Sequence, residues 1–274
     1  MAPTLLVPLD GSSLSEGVLP WVEALLRARP GTRVQLLHVQ SDRADSDCLA
    51  GPAERLGRAG GQVELEVCRG AAPAQEIVVR ARRARAWVTM ASHGRSGLTR
   101  LLLGSVAEEV LRRADGPVLL APRPALERAG PVEYRRILVP LDGSERSAAI
   151  LPLVRELARA HGAEVQLLHV ASWITPELGP LLAVSEPPEA LAARVDAWRA
   201  ALARAGLRVE TLAAAGERVE EIVAAGQREQ VDLIAMATHG RAGLDRLVHG
   251  SHTEAVLRRA AVPLLSLRVE GPAP

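Results

Sequence analysis

From Thr4 to Leu9 the chain is apolar almost without a break, the pattern of a short strand buried on both faces. After it, Leu14, Val18, Trp21, Val22, Leu25 and Leu26 recur at helical spacing and predict an amphipathic helix. Ser13 and Glu16 form a capping-box pattern at its start. Pro20 lies inside the pattern, so the helix is either kinked or begins later. Further strands are predicted over Arg33–Gln40, Gln62–Cys68, Ala86–Ser92 and Pro117–Ala121. Pro73 opens a helix with Ile77 and Val78 inward, and Ser105–Ala114 reads as another. Strands alternating with helices imply parallel pairing and right-handed crossovers.

The pattern then repeats. Val7-Pro8-Leu9-Asp10-Gly11-Ser12 returns letter for letter as Val139-Pro140-Leu141-Asp142-Gly143-Ser144, and Val34–Val39 returns as Val165–Val170. His93-Gly94-Arg95-x-Gly97-Leu98-x-Arg100-Leu101 matches His239-Gly240-Arg241-x-Gly243-Leu244-x-Arg246-Leu247. Pro152 repeats Pro20. The offsets are 132, 131 and 146, so the second copy carries extra residues after its second strand. There it has room for a full helix near Glu186–Ala205, where the first copy has only about Leu49–Ala59. Repeats of this length are duplicated domains. The fold class is α/β, with two tandem doubly wound domains, each on a five-stranded parallel sheet. The boundaries read as residues 1–122, a linker at 123–134 rich in proline and charge, and residues 135–274.

Composition narrows the chemistry. The chain has 274 residues and a net charge of +1, and all 33 basic residues are arginine. Without lysine there is no Walker A lysine and no Schiff base. Near-neutral charge and few aromatics argue against nucleic acid as a partner. No apolar run approaches the ~18 residues of a membrane span. The N-terminus lacks a secretory pattern, and Cys48 and Cys68 form no CxxC pair, so a reducing cytoplasm is the expected location. Arginine-only basicity without asparagine suggests a GC-rich genome or a hot habitat.

Two features fall at the carboxyl ends of strands, where open α/β sheets bind ligands. Asp10 and Asp142 close the first strand of each copy. Ala91-Ser92-His93-Gly94 and Ala237-Thr238-His239-Gly240 each lead, after nine residues, to Gly-Ser: Gly104-Ser105 and Gly250-Ser251. A glycine before a helix lets free N–H groups and the helix dipole meet a phosphate, with Arg95 and Arg100 adding charge. Each element alone has a plainer reading, a turn for the glycine and an Asx turn or cap for the aspartate. Their combination, twice over, points to a phosphate-bearing ligand.

These residues resemble the universal stress protein family over essentially the whole chain, as two tandem copies. The resemblance implies an adenine nucleotide alpha hydrolase-like sheet of order 3-2-1-4-5. It also implies binding of ATP, or of AMP or ADP, through a G-x2-G-x9-G-[S/T] loop, with Mg accompanying ATP. The site residues so implied are Pro8, Asp10, Val39, Met90, Ala91, Gly94, Arg95, Gly104, Ser105 and Val106 in the first copy. In the second they are Pro140, Asp142, Val170, Met236, Ala237, Gly240, Arg241, Gly250, Ser251 and His252. The aspartates would lie by the adenosine, and the Val39 and Val170 backbones would read the adenine edge. The glycine loops would hold ribose and phosphates. The motif's first glycine is Ala91 or Ala237 here, one added methyl that is expected to be tolerated. The family also implies that the last strands pair, here within one chain; a homodimer of chains is a further option.

His249 and His252 replace Leu103 and Val106 in the second copy; they either make that site pH-dependent or face solvent. His38 and His169 read as hydrogen-bonded strand histidines, and no zinc site is expected. Ser12 and Ser144 suit helix capping better than nucleophilic catalysis. Cys68 reads as a strand residue, Cys48 as exposed, and Arg80–Arg85 as a solvated helix face. The expected function is nucleotide binding in stress response or signalling, with slow ATP hydrolysis at most. The alternative is an interaction module of the same fold that binds no nucleotide.

Overall fold

The computed structural model describes residues 4–40, 46–70, 72–93, 103–127, 130–171, 188–239 and 249–269. The first half runs β1 (Leu5–Pro8), α1 (Ser13–Glu16), α2 (Leu19–Ala28), β2 (Arg33–Gln40), a 3-10 turn at Ser46–Leu49, α3 (Ala50–Arg58) and β3 (Gln62–Arg69). It continues with α4 (Pro73–Ala84), β4 (Trp87–Ala91), α5 (Ser105–Arg113) and β5 (Val118–Ala121). After α6 (Arg123–Leu126) come β6 (Arg136–Leu141), α7 (Glu145–Ala148), α8 (Leu151–His161), β7 (Glu164–Ala171), α9 (Pro188–Arg204) and β8 (Arg208–Ala215). The chain closes with α10 (Arg218–Arg228), β9 (Leu233–His239), α11 (His249–Arg259) and β10 (Leu264–Val269).

β1 pairs with β2 and β4, β2 with β3, and β4 with β5, all parallel. That is the order 3-2-1-4-5, and the second half repeats it as β8-β7-β6-β9-β10. The halves meet through β5 and β10, which run antiparallel with Leu264 opposite Leu120 and Ser266 opposite Val118. The result is one ten-stranded sheet.

The nearly unbroken apolar run of β1 follows from cover on both faces. Leu5 and Val7 join a core with Trp21, Leu26, Val154 and Leu167. Leu6, between them, joins the opposite core with Ile77, Val110, Ile222 and Val256. Both cores run through both halves. Each fully buried aliphatic or aromatic side chain contributes ~1.5–3 kcal/mol. At the sheet edge the cover thins. The nine residues of α3 leave Leu65 and Val67 of β3 exposed, whereas α9 has 17 residues on the other edge.

Three expectations change in detail, and at Pro20 one of the two alternatives is decided. The first cap is Ser12, whose hydroxyl accepts from the Ser15 N–H at 3.2 Å; the pair Ser13 and Glu16 does not form the box. At Pro20 the helix begins later: α1 is one turn, and α2 starts at Leu19 with proline in its first turn, where a missing N–H is harmless. Cys48 is half-buried against the core at the 3-10 turn, because the residues after it turn straight into α3. Arg80 is not a solvated residue; it reaches Glu66 on β3 at 2.6 Å and also pairs with Glu76.

The segment between the halves is packed. Ala125, Leu126, Val132 and Tyr134 are buried. The Tyr134 ring lies 5.8 Å from Trp21 and 4.9 Å from His161, edge-on to the latter. Arg27 donates to the Val132 carbonyl at 2.5 Å, and Arg29 meets Glu156 at 3.3 Å.

Candidate functional site

At the end of β1 the chain folds into a tight polar turn. Asp10 Oδ1 accepts from the Ser12 N–H at 2.9 Å and from its hydroxyl at 2.5 Å. The Asp10 N–H donates to Ser15 Oγ at 3.3 Å, and Ser15 Oγ donates to the Ser12 carbonyl at 2.8 Å. Gly11 sits at φ +79°, which glycine adopts without strain. The second half reproduces the turn: Asp142 Oδ1 accepts from the Ser144 N–H at 3.0 Å and its hydroxyl at 2.6 Å, with Gly143 at φ +85°. The plain Asx-turn reading of each aspartate is therefore correct. It also fixes the carboxylate at the mouth of a cleft.

The opposite wall is the start of α5. The Gly104 N–H donates to the Ser92 carbonyl at 2.9 Å. A Cβ on Gly104 would stand 3.0 Å from that same oxygen, so only glycine brings the helix this close to the end of β4. No side chain caps α5, and its first-turn residues Ser105, Val106 and Ala107 line the cleft.

The first cleft holds about 870 Å³ counting its open mouth. It brings together Pro8, Asp10, Val39, Met90, Ala91, Gly104, Ser105 and Val106 of the expected set. Gly94 and Arg95 lie outside the described residues. The second cleft is smaller, about 560 Å³ on the same measure, and gathers Pro140, Asp142, Val170, Met236, Ala237 and His252. Gly240 and Arg241 lie outside the described residues. Gly250 and Ser251 were expected to open the last helix. Instead α11 begins at His249, which puts them inside its first turn.

Several wall residues escaped the sequence reading as site residues. Leu37, Ile77, Ser92 and His93 line the first cleft; Ser147, Leu168, Arg218, Ile222 and Thr253 line the second. Ile77 and Ile222 had an inward-facing helical pattern that could have placed them. Arg218 had no such signal, because its counterpart in the first half is Pro73. Ser92 Oγ and His93 Nδ1 are hydrogen-bonded at 2.8 Å. As expected, His38 and His169 are strand histidines, with Nδ1 at 2.7 Å from the Leu9 carbonyl and 3.3 Å from the Leu141 carbonyl.

Burial acts to raise the Asp142 carboxyl. Hydrogen bonds from Ser144 and Ser147 and the positive charge of Arg218 outweigh it, so the group sits below the usual carboxylate range. Among the described residues no three His, Cys, Asp or Glu side chains are placed to hold a metal ion. No helix among them is long and apolar enough to cross a membrane.

Against known proteins, the sequence profile of the universal stress protein family matches residues 46–122 and 133–268. A universal stress protein of Mycobacterium tuberculosis is 30% identical over 187 residues, covering 66% of this chain and 61% of that protein. The chain thus spans about three-fifths of the length of that relative. One from Methanocaldococcus jannaschii is 30% identical over 156 residues, covering 52% of this chain and 86% of its own length. The crystal structure of a universal stress protein from Archaeoglobus fulgidus superposes with a TM-score of 0.76 at 21% identity, covering 97% of this chain and 98% of that one. At that identity the likeness is one of fold.

Proposed function

The chain belongs to the universal stress protein family, and from that premise we propose that each half binds an adenine nucleotide in its cleft. The observation that carries the reading is the conjunction in the first cleft. A carboxylate fixed by its own turn faces an uncapped helix start that Gly104 draws against the end of β4. A ribose offers hydroxyls to Asp10, and phosphates accept from the amides and hydroxyl at Ser105 and Val106, on the positive end of α5. Apolar walls from Leu37, Ile77 and Met90 suit a purine ring.

Val39 supports the same reading. The last β1–β2 pair is Pro8 with Leu37, and the Leu9 N–H bonds the Leu37 carbonyl. Val39 lies two residues on, so its backbone points to the same side of β2, past the end of β1. Those groups would meet the hydrogen-bonding edge of adenine in this reading. Residues 1–122 and 135–274 would be the two binding domains, with Asp142, Val170 and Met236 serving the second. Mg would be held chiefly by the nucleotide's own phosphates, since among the described residues the first cleft is lined by one carboxylate, Asp10, whose Oδ1 already serves its turn. The proposal is of a binding module in stress response or signalling, and it assigns no catalytic residue.

The chain supplies its own probes. Of its three methionines, Met90 lines the first cleft and Met236 the second. Carbon-13 methyl labelling of methionine reports each site separately. Titration with ATP, ADP and AMP is expected to move both resonances to saturation. No movement at millimolar nucleotide in folded protein overturns the reading and leaves the interaction module.

A further inference from the structure

The nucleotide reading treats the clefts alike, yet one wall residue sets them apart. Arg218 opens α10 and lines the second cleft. Its counterpart is Pro73, which opens α4 and lines the first; the inward Ile77 and Ile222 follow each at the same spacing. Proline brings neither donor nor charge. Arginine brings a permanent charge and five N–H donors in a planar fork.

Arg218 is half-buried, and among the described residues it makes no hydrogen bond and no ion pair. Two of the three carboxylates near it along the helix have partners of their own, and the third lies on the Gly216 side. Glu217 Oε2 accepts from the Glu220 N–H at 3.0 Å, Glu220 Oε1 faces Arg259 at 3.7 Å, and Glu221 lies over Gly216. Across the cleft, Asp142 feels the positive charge, but its Oδ1 is engaged by Ser144. From the other wall come His252 and Thr253 of α11. A half-buried guanidinium that has no acceptor of its own is free to meet an anion entering the cleft. A neutral nucleoside offers none, whereas a nucleotide offers phosphate oxygens in the spacing the fork accepts.

We propose that Arg218 makes the second cleft charge-selective, so that it prefers phosphorylated nucleotide over the bare nucleoside more steeply because of this side chain. The inference rests on the nucleotide reading above. At one cellular mixture of ligands the two halves would then hold different occupants.

The test titrates adenosine, AMP and ATP against methionine-labelled protein, following Met90 and Met236. In Arg218→Ala, the preference for ATP over adenosine at Met236 is expected to fall at least about threefold, the scale of one partly screened charge. The preference at Met90 should stay unchanged. Arg218→Pro, which copies the start of α4, should behave the same way. Pro73→Arg should raise the preference at Met90, and it carries the test should the Arg218 variants fail to fold. If both methyls titrate but these substitutions leave the preferences alone, the charge-selectivity is overturned and nucleotide binding stands. If neither methyl responds in wild type, both fall.

Discussion

The Tyr134 hydroxyl donates to the Trp21 carbonyl at 3.3 Å, tying the segment between the halves to α2. Burial pushes the phenol up, so it remains a neutral donor at every ordinary pH. Tyr134→Phe removes that bond alone and is expected to cost about 1 kcal/mol in urea unfolding. Tyr134→Ala also empties a fully buried site between Trp21 and His161 and is expected to cost ~3–5 kcal/mol. Equal losses for the two variants would show that the ring's packing contributes little.

His161 gives the same junction a pH dependence. Burial, with the charges of Arg27 and Arg29, pushes its imidazole down from 6.5 to about 4. The folded protein therefore keeps it neutral where the unfolded chain already binds a proton. Its contribution is complete above pH 6.5 and is lost as pH falls toward 4. His161→Phe keeps a ring against Tyr134 and removes the titration. Its stability should decline less than wild type across that window, as measured by denaturant melts at several pH values.

Gly104 has a separate role. Adding a methyl would place it 3.0 Å from the Ser92 carbonyl, a backbone atom that cannot swing aside. Gly104→Ala should push the start of α5 away from β4, at a cost of roughly 1–3 kcal/mol. Nucleotide-induced shifts at Met90 should weaken while those at Met236 persist. Unchanged titration at Met90 would mean that the close approach does not matter for binding.

Glu254 on α11 feels Glu108 on α5, its counterpart in the repeat, across the junction of the halves. Burial and then that like charge raise its carboxyl, against the opposing pull of Arg258 and Arg112. A raised carboxylate favours the fold more as pH falls through its folded pKa, and it opposes folding at neutral pH. Glu254→Gln should therefore raise the Tm modestly at pH 7. The gain should vanish near pH 4, where the wild-type side chain is protonated. The ion pair it loses, to Arg258 at 3.6 Å, is partly exposed and of small worth.

Strand positions were plain in the sequence wherever both faces are covered. β2 spans Arg33–Gln40 as its apolar run implies, and the letter-for-letter repeat carried that reading to β7. The cap was harder, because Ser12, Ser13 and Ser15 all offer a hydroxyl, and reach, not pattern, selects Ser12. Tyr134 gave no periodic signal, since its burial depends on α2 and α8 arriving from both halves. Of the site, the aspartates and Gly104 were legible because turn geometry and close approach restrict the residue allowed. Arg218 was not, because a side chain that matters by differing from its repeat partner leaves no shared motif to find.

The antiparallel seam between β5 and β10 has a consequence for how the protein can change. In a symmetric homodimer every substitution appears on both sides of the axis. Here the two sides of the seam are separate stretches of one coding sequence, so a mutation alters one cleft and spares the other. Pro73 and Arg218 already stand at matching places with opposite character. The tandem chain can therefore specialise one half while the other keeps its inherited task, a freedom no pair of identical subunits has.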